Sequence, residues 1–230
     1  MKLKKSNKAL LILFLFLLAG AIATDYLLAI SYTKINLKDP LRNFELVQIK
    51  PFKNLKISGG NSFSVEVRRA DSFSIQLLSS RKSFFNLRQN ADSLVIQFSV
   101  AARTANQPYD PVKGLIIYAP ALADVEFAGT SAAVIGFRQD SLAITQYEKS
   151  KTVIQSLDIR ALSIRADGQS VYDFQNNSDV DALNLQLNNH ATAIINGIRF
   201  KSISPVIGAN SAIVLGNQNF QNGVSILPGH

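Results

Sequence analysis

The chain has 230 residues, of which 47% are apolar and 17% are charged, and its formal net charge is +8 at pH 7. This length is sufficient for one large or two modest domains whose apolar core needs no disulfide or metal. The chain has no cysteine and two histidines, which excludes a disulfide framework, a thiolate metal site and a cysteine nucleophile. Most classes of enzyme active site are therefore disfavoured.

The basic excess is concentrated at the N-terminus. Lys2, Lys4, Lys5 and Lys8 precede an apolar run, and after Ser31 the chain has 20 basic and 15 acidic residues. These later charges are scattered, without a run of five or six like charges. The sequence therefore lacks a basic nucleic-acid-binding footprint, and no nucleic-acid partner is expected.

The N-terminal segment predicts export and a membrane as partner. Residues 9–23 (ALLILFLFLLAGAIA) are apolar or small, and a second apolar stretch covers residues 26–30. As an anchor, residues 9–31 would form about 34 Å of helix, which is enough to span a bilayer. As a cleaved signal peptide, the segment has a basic start, an apolar middle and an Ala21-x-Ala23 cleavage site. We favour the anchor, because cleavage would leave an exposed apolar stub.

The expected location is the cell envelope. In both interpretations the N-terminal lysines stay in the cytoplasm and the rest of the chain is exported. The domain is then membrane-anchored outside the cytoplasm or, after cleavage, periplasmic or secreted. The predicted organisation is a signal anchor or signal peptide (1–31), a tether (32–43) and a β-solenoid domain (44–230) with N-terminal strands (44–118), repeated rungs (119–215) and a C-terminal cap (216–230).

Beyond the tether, apolar and polar residues alternate, as they do in strands rather than in helices. The runs are short, rich in β-branched and aromatic residues, and bounded by Gly, Asn, Asp, Ser or Pro. The exported part is therefore predicted to be all-β. The clearest runs are Leu55-x-Ile57, Phe63-x-Val65-x-Val67, Phe73-x-Ile75-x-Leu77, Leu94-x-Ile96-x-Phe98 and Leu115-x-Ile117.

The second half of the chain contains an internal repeat. The same alternating pattern recurs at residues 125–135, 144–154, 164–174, 185–195 and 205–215. A period of about 20 residues with strand-type alternation is typical of a β-solenoid, in which each copy forms one rung. The copies are centred on Ser131, Ser150, Ser170, Ala191 and Ser211.

Small and amide side chains at fixed positions of the repeat are interpreted as structural. A bulky side chain in the central column would strike its counterparts in neighbouring rungs, and no His or Lys pattern accompanies the serines as a nucleophile would require. Asn176, Asn196 and Asn217 each follow a strand and predict a stacked turn ladder, because Asn tolerates the left-handed conformation.

Three segments carry a family-like pattern, namely residues 52–67, 93–97 and 112–131, the last with Pro120-x-Leu122 and Ala128-Gly129. They resemble the putative auto-transporter adhesin head GIN domain family of bacterial cell-envelope proteins, over roughly residues 44–215. The resemblance implies a right-handed parallel β-helix-like domain that is exported, has no determined biochemical function and brings no catalytic residues. This chain has Glu148-Lys149 where the family has a Gly or an Asp-like turn.

Carboxylates are the remaining candidates for chemistry. Two carboxylates at the right separation could hydrolyse a glycosidic bond, and several oxygens could hold Ca²⁺. We interpret them instead as turn formers or solvated residues, and His190 as a solvated histidine, so no catalytic, cofactor-binding or metal-binding residue is predicted. The carboxylates are Asp124, Glu126, Asp167, Asp173, with Asp173 on an outward position, and Asp179 and Asp181, with Asp167, Asp179 and Asp181 at turns.

The predicted function is recognition by a membrane-tethered, non-catalytic binding or adhesion domain without a cofactor. The outward residues form hydrogen bonds rather than carry strong charge, which suits carbohydrate or another envelope protein as partner. The alternatives are a structural or assembly subunit without a ligand and, less favoured, a polysaccharide-active β-helix enzyme. The outward residues are Arg165, Asp167, Gln169, Asn184, Gln186, Asn188, His190, Ser204 and Asn210.

Overall fold

A computed structural model of the chain describes residues 5–34, 39–59, 64–99, 113–175, 178–216 and 225–226. The chain divides into two compact units, Met1–Asn43 and Phe44–His230. The first contains helix α1 (Lys5–Lys34), and the second, called the β unit below, contains the strands.

Helix α1 is apolar over most of its length. The segment Ile12–Tyr32 has 21 residues, and none of it is buried. The Thr24 hydroxyl donates to the Gly20 carbonyl (2.8 Å) and the Ser31 hydroxyl to the Leu27 carbonyl (2.9 Å), so both are satisfied within the helix. By length and composition the helix can cross a membrane, and an N-terminal signal sequence meets the same criterion.

The β unit contains two nine-stranded sheets. In spatial order, the first sheet consists of β1 (Phe44–Gln48), β4 (Ser74–Leu78), β7 (Lys113–Ala119), β3 (Ser64–Arg69), β9 (Ser131–Ile135), β11 (Lys151–Gln155), β13 (Val171–Gln175), β15 (Thr192–Ile195) and β17 (Ala212–Leu215). The pairs β1–β4 and β4–β7 are antiparallel, and the other neighbours are parallel.

The second sheet has the same number of strands. In spatial order it consists of β18 (Ser225–Ile226), β16 (Ile198–Ile207), β14 (Ser178–Leu187), β12 (Asp158–Ala166), β10 (Arg138–Tyr147), β8 (Asp124–Ala128), β2 (Asn54–Ser58), β6 (Ser93–Phe98) and β5 (Phe85–Asn90). Only β5 and β6 pair antiparallel among the described strands of this sheet, and a 3-10 turn (Ser79–Phe84) precedes β5. The prediction of a β domain is confirmed.

The core lies between the inner faces of the two sheets. Strand alternation turns Ile144 and Ile164 inward from the second sheet and Val134 and Ile154 inward from the first, and all four are buried in one apolar cluster. Each such side chain contributes about 1.5–3 kcal/mol through burial. Tyr172 of β13 crosses this core, and its burial raises the pKa of the phenol well above its usual value. Among the described strands, the two sheets keep free edges and do not close on each other.

From β8 onward the chain passes alternately from the second sheet to the first. Consecutive strands of each sheet pair in parallel, so that Ile144 pairs with Val125 on one side and Ile164 on the other, and Leu185 continues the same column. In the second sheet, this register agrees with the sequence alignment of the copies.

The first sheet corrects the predicted central column at its first member. Ser131 pairs with Lys151 rather than with Ser150. Thr130 takes the position beside Ser150, because its carbonyl accepts a hydrogen bond from the Lys151 amide and its amide donates to the Ser150 hydroxyl. The turn between β8 and β9 is one residue shorter than the turn between β10 and β11. The β9 residues that were predicted to point inward therefore point outward, and their neighbours point inward. Accordingly Ala132 and Val134, rather than Ser131, are buried.

Of the predicted asparagine ladder, the structure describes Asn196. It follows Ile195, which pairs with Phe174 on one side and with Leu215 on the other. Asn196 lies against Gly216, where an added Cβ would clash with the Asn196 side-chain oxygen. Asn176 and Asn217 lie outside the described residues. Of the predicted cap, Ser225–Ile226 pairs with β16, and the rest also lies outside them.

Candidate functional site

Three consecutive turns join the second sheet to the first after β10, β12 and β14; we call them the wide turns. Each has two central residues with positive φ, the left-handed region that favours glycine. Five of these six residues are not glycine. The pairs are Glu148 (56°) and Lys149 (61°), Gly168 (65°) and Gln169 (60°), and Asn189 (52°) and His190 (69°).

Backbone hydrogen bonds stack the wide turns on one another. The Lys149 amide donates to the Gly168 carbonyl (2.8 Å), and the Gln169 amide donates to the Asn189 carbonyl (3.0 Å). Within the first turn, the Ser150 amide closes onto the Tyr147 carbonyl (3.2 Å). The backbone ladder fixes the turns, and their central side chains are left at the surface.

The hydroxyls beneath the wide turns are structural. The Ser150 hydroxyl donates to the Tyr147 carbonyl (2.5 Å) and accepts from the Thr130 amide (3.1 Å). The Ser170 hydroxyl donates in the same way to the Asp167 carbonyl (2.5 Å). Both serines are fully buried, so neither hydroxyl is presented to a substrate.

The surface of the wide turns is concave. It forms an open groove of about 500 Å³, within the size range of ligand sites in proteins. Gly168 keeps its floor low, because an added Cβ there would lie 3.3 Å from the Glu148 amide nitrogen and would be strained at φ +65°. The groove is lined by Glu148, Lys149, Gly168, Gln169, Asn189 and His190.

Four of the polar side chains that line the groove have no partner among the described residues. Glu148, Lys149, Gln169 and His190 are exposed and form no side-chain hydrogen bond or ion pair with another described residue. Asn189 is positioned from below, since its side-chain amide donates to the Asp167 carboxylate (2.7 Å). The polar ends of these side chains are therefore exposed to solvent, while the surface that faces the groove is contributed almost entirely by carbon atoms.

Two of the predicted carboxylates lie within a strand, which corrects their assignment to turns. Asp179 and Asp181 face outward from β14 and form ion pairs with basic side chains of the neighbouring strand β16. Arg199 makes a two-pronged ion pair with Asp179 (2.6 and 2.7 Å), and Lys201 approaches Asp181 (2.8 Å). The hydrogen bonds from Arg199 lower the pKa of the Asp179 carboxyl. The sequence could not show these pairs, because the partners are 20 residues apart and meet only through the strand register.

The other carboxylates are dispersed. Glu126 forms an ion pair with Lys56 (2.6 Å). The Asp173 carboxylate accepts a hydrogen bond from the side-chain amide of Gln175 (2.6 Å), and Asp173 is half-buried rather than fully solvated. Burial, reinforced by Glu126, raises the pKa of Asp124. Asp167 does lie at a turn. Within the described ranges, no three His, Asp or Glu side chains are grouped so as to hold a metal ion.

Gln169 and His190 are among the residues predicted to point outward, but the prediction did not group them with Glu148, Lys149 and Asn189. A signal was available. In three successive copies, five of the six residues that directly precede the Ser or Ala of the central column carry polar side chains, and the sixth is Gly168. A turn alone requires only small residues there.

Comparison with family models and with curated proteins finds no match. Among solved structures, a putative adhesin from Bacteroides fragilis NCTC 9343 aligns with a TM-score of 0.62 at 14% identity, covering 74% of this chain and 78% of that one. A putative adhesin from Parabacteroides distasonis ATCC 8503 aligns with a TM-score of 0.54 at 13% identity, covering 75% of each chain. At such identities the likeness concerns the fold alone, and this chain shares its fold with these two proteins.

Proposed function

We propose that the chain is a non-catalytic, adhesin-like binding protein of the bacterial cell envelope, and that the wide-turn groove is its binding site. The observation that carries this proposal is the set of exposed polar side chains that line one groove without protein partners. By contrast, the half-exposed carboxylates of Asp179 and Asp181 are satisfied by ion pairs.

The fold supports the same direction. Both solved structures reported above are named putative adhesins, and the resemblance to the GIN domain family points to an exported envelope domain. We propose further that the stacked strands form a right-handed β-helix-like solenoid, with one rung for each copy of the repeat. The support is the parallel register of β8, β10, β12, β14 and β16, in which each strand advances the chain by one copy.

Helix α1 is proposed as a membrane anchor with the β unit outside the cytoplasm. Its apolar segment is long enough to span, and four lysines precede it. Mass spectrometry of the protein purified from native membranes tests this. An intact N-terminal segment is expected, and a mature N-terminus at Thr24 would instead indicate a cleaved signal peptide.

The absence of catalysis is tested separately. We expect no hydrolase or lyase products when the full chain is incubated with envelope polysaccharides, because Asp179 and Asp181 are engaged by cations and Asp167 by Asn189. Turnover that disappears in Asp167→Asn or Asp181→Asn would contradict the proposal and favour a polysaccharide-active enzyme.

Binding through the groove is tested with the full chain in detergent micelles, immobilised and exposed to polysaccharide and protein fractions of bacterial envelopes. The variant Lys149→Gly/Gln169→Gly/His190→Gly removes three groove side chains at positions whose positive φ suits glycine. It should lose binding, whereas Asn210→Gly, at the next turn and also at positive φ (57°), should retain it. Self-association of the unaltered chain without capture of either fraction would favour the structural subunit instead.

A further inference from the structure

We propose that the outer face of the first sheet, from β9 to β17, is a self-complementary surface on which a second copy of the chain docks. This interface goes beyond the proposed binding function and does not involve the wide-turn groove. It is supported by a line of outward aliphatic side chains, by the contrast with the other sheet, and by two opposite charges on the same face.

Aliphatic side chains follow one line across this outer face. Strand pairing places Val153 between Ala133 and Asp173. The line continues from Asp173 through Ile194 to Val214 on the edge strand β17. These residues alternate with the core residues of their strands and point outward, and Val214 is 50% exposed. The aliphatic residues of this surface, called the apolar face below, are Ala133, Ile135, Val153, Val171, Ile194 and Val214.

The second sheet shows that the fold does not require an aliphatic outer face. In the same copies of the repeat, the outward positions of β12 and β14 carry mostly charged or polar side chains. Apolar side chains in contact with water gain free energy when a partner covers them. A continuous aliphatic surface on one of two equivalent sheets therefore indicates an interaction site. The outward residues of β12 and β14 include Asp158, Arg160, Arg165, Asp179, Asp181 and Gln186.

Two opposite charges lie on the apolar face. Lys151 pairs with Val171 in the strand register, and Asp173 lies two residues beyond Val171 on the same strand. Neither charge forms an ion pair with another described residue. The Asp173 carboxylate accepts one hydrogen bond, from the side-chain amide of Gln175 (2.6 Å). Covering the face would remove water from both charges, so a matching partner must offer each of them an opposite charge.

A second copy of the chain offers both complements at once. In a dimer whose two-fold axis lies between the two faces, the axis can be placed so that Lys151 of one copy lies over the partner's Asp173. The same rotation then places Asp173 over the partner's Lys151, because a two-fold interface repeats every contact. The aliphatic side chains around the two ion pairs pack against each other and exclude water.

The size of the face sets the strength of the dimer. Its five strands each have four or five residues. With strands about 4.8 Å apart and a rise of about 3.3 Å per residue, the face measures roughly 20 Å by 15 Å. A stable interface buries about 800 Å² on each partner, so this face is expected to form a weak dimer that depends on concentration.

The experiment measures the mass of the full chain in detergent micelles by sedimentation equilibrium, from low micromolar to near-millimolar concentration. A concentration-dependent dimer is expected. Lys151→Asp and Asp173→Lys should each weaken it by at least about tenfold, because each brings like charges together across the two-fold axis. Arg165→Glu, an equal change of charge on the outer face of the second sheet, is the control and should leave the dimer within about twofold.

Mixing the two charge-reversed variants gives the sharpest test. Across the interface of a mixed pair the charges are again opposite, so the mixture of Lys151→Asp with Asp173→Lys should associate although neither variant does alone. The double variant Lys151→Asp/Asp173→Lys should dimerise as the unaltered chain does. Circular dichroism in the strand region confirms that each variant is folded.

Three outcomes would overturn the inference. The unaltered chain could stay monomeric at all concentrations, or the single reversals could dimerise as it does, which would assign the contact to another surface such as helix α1. The third outcome is that neither the mixture nor the folded double variant regains association. The proposed binding function is judged separately, since the groove variant Lys149→Gly/Gln169→Gly/His190→Gly should lose capture of envelope fractions and still dimerise.

Discussion

The two ends of each strand pair are built differently. At the tight corners, where the chain passes from the first sheet back to the second, one residue has positive φ, namely Gly136 (77°), Ser156 (54°) or Gly197 (67°). The residue that follows it is buried, as Phe137 and Leu157 are. At the wide turns, two residues have positive φ, five of the six are not glycine, and the non-glycine members are exposed.

This difference separates a corner that holds the fold together from one that displays side chains. At a tight corner, a small left-handed residue reverses the chain and an apolar residue is driven into the core, so burial favours closure. At a wide turn, backbone hydrogen bonds already provide closure, and the central side chains reduce stability slightly. The two regions should therefore respond in opposite ways to substitution.

The largest effect is expected at a tight corner. Phe137→Ala removes a fully buried aromatic side chain and should lower the free energy of unfolding by about 3–5 kcal/mol. Urea denaturation of the full chain, followed by circular dichroism in the strand region, measures this. Gln169→Gly at a wide turn is the control and should shift the free energy by less than about 1 kcal/mol. Equal losses would mean that both regions serve closure.

A second prediction concerns the interior beside the first wide turn. Gln146 is fully buried, and neither its side-chain nitrogen nor its side-chain oxygen has a hydrogen-bond partner among the described residues. Because a buried unsatisfied polar group carries a desolvation penalty, Gln146→Leu should raise the free energy of unfolding by about 1–3 kcal/mol.

Tyr172→Phe provides the matched contrast in the same denaturation experiment. The Tyr172 hydroxyl is also buried, but it donates to the Ile144 carbonyl (3.0 Å) and lies 3.2 Å from the Arg165 carbonyl oxygen. Its removal should lower the free energy of unfolding by about 1 kcal/mol. A loss of stability in Gln146→Leu would show that the amide is satisfied by bound water.

Alternation and period were sufficient to predict the strands and the register of the second sheet, because Val125, Ile144 and Ile164 recur at a nearly constant spacing in strongly apolar surroundings. The prediction that Ser131 lies in the central column was wrong, because a turn shorter by one residue changes which face of a strand is buried. The sequence could not reveal the change, since the pattern Ala-Ala-Val of β9 is apolar on both faces. The ion pairs of Asp179 and Asp181 and the conformation of the wide turns depend on contacts between copies, which no single copy encodes.

A smaller effect, with opposite signs for stability and binding, is expected at the wide turns. Lys149 has φ 61°, so Lys149→Gly relieves an unfavourable conformation while increasing the entropy of the unfolded chain. The net result should be a gain of up to about 1 kcal/mol in the free energy of unfolding. Binding to envelope fractions should fall, because a groove cation is removed. If stability and binding both fell, Lys149 would have a structural role that the tight corners share.

The smallest effect is expected where surface charges are paired, on the outer face of β14 and β16. Asp179 is ion-paired with Arg199 but half-exposed, so solvent screens the pair, and Asp179→Asn should cost no more than about 0.5 kcal/mol at pH 7. The pairing lowers the folded-state pKa of Asp179 below its ordinary value of 3.8. Its contribution is therefore present above pH 3.8 and is lost as the pH falls through the folded-state pKa. Asp124, whose folded-state pKa is raised by burial, has the opposite sign, and stability rises as its carboxyl takes up a proton.

Urea titrations at pH 7 and pH 3 distinguish these two carboxylates. The difference between the unaltered chain and Asp179→Asn should shrink at the lower pH, because below pH 3.8 the unfolded chain takes up a proton at Asp179 and part of the stability from the ion pair with Arg199 is lost. Asp124→Asn should be neutral or slightly stabilising at pH 7, because it removes a charge that burial disfavours. A cost for Asp179→Asn that stays constant with pH would mean that its hydrogen-bond geometry matters rather than its charge. In that case the ion-paired surface would resemble the tight corners, where geometry and packing determine stability, more closely than the wide turns, where charged side chains are exposed to solvent.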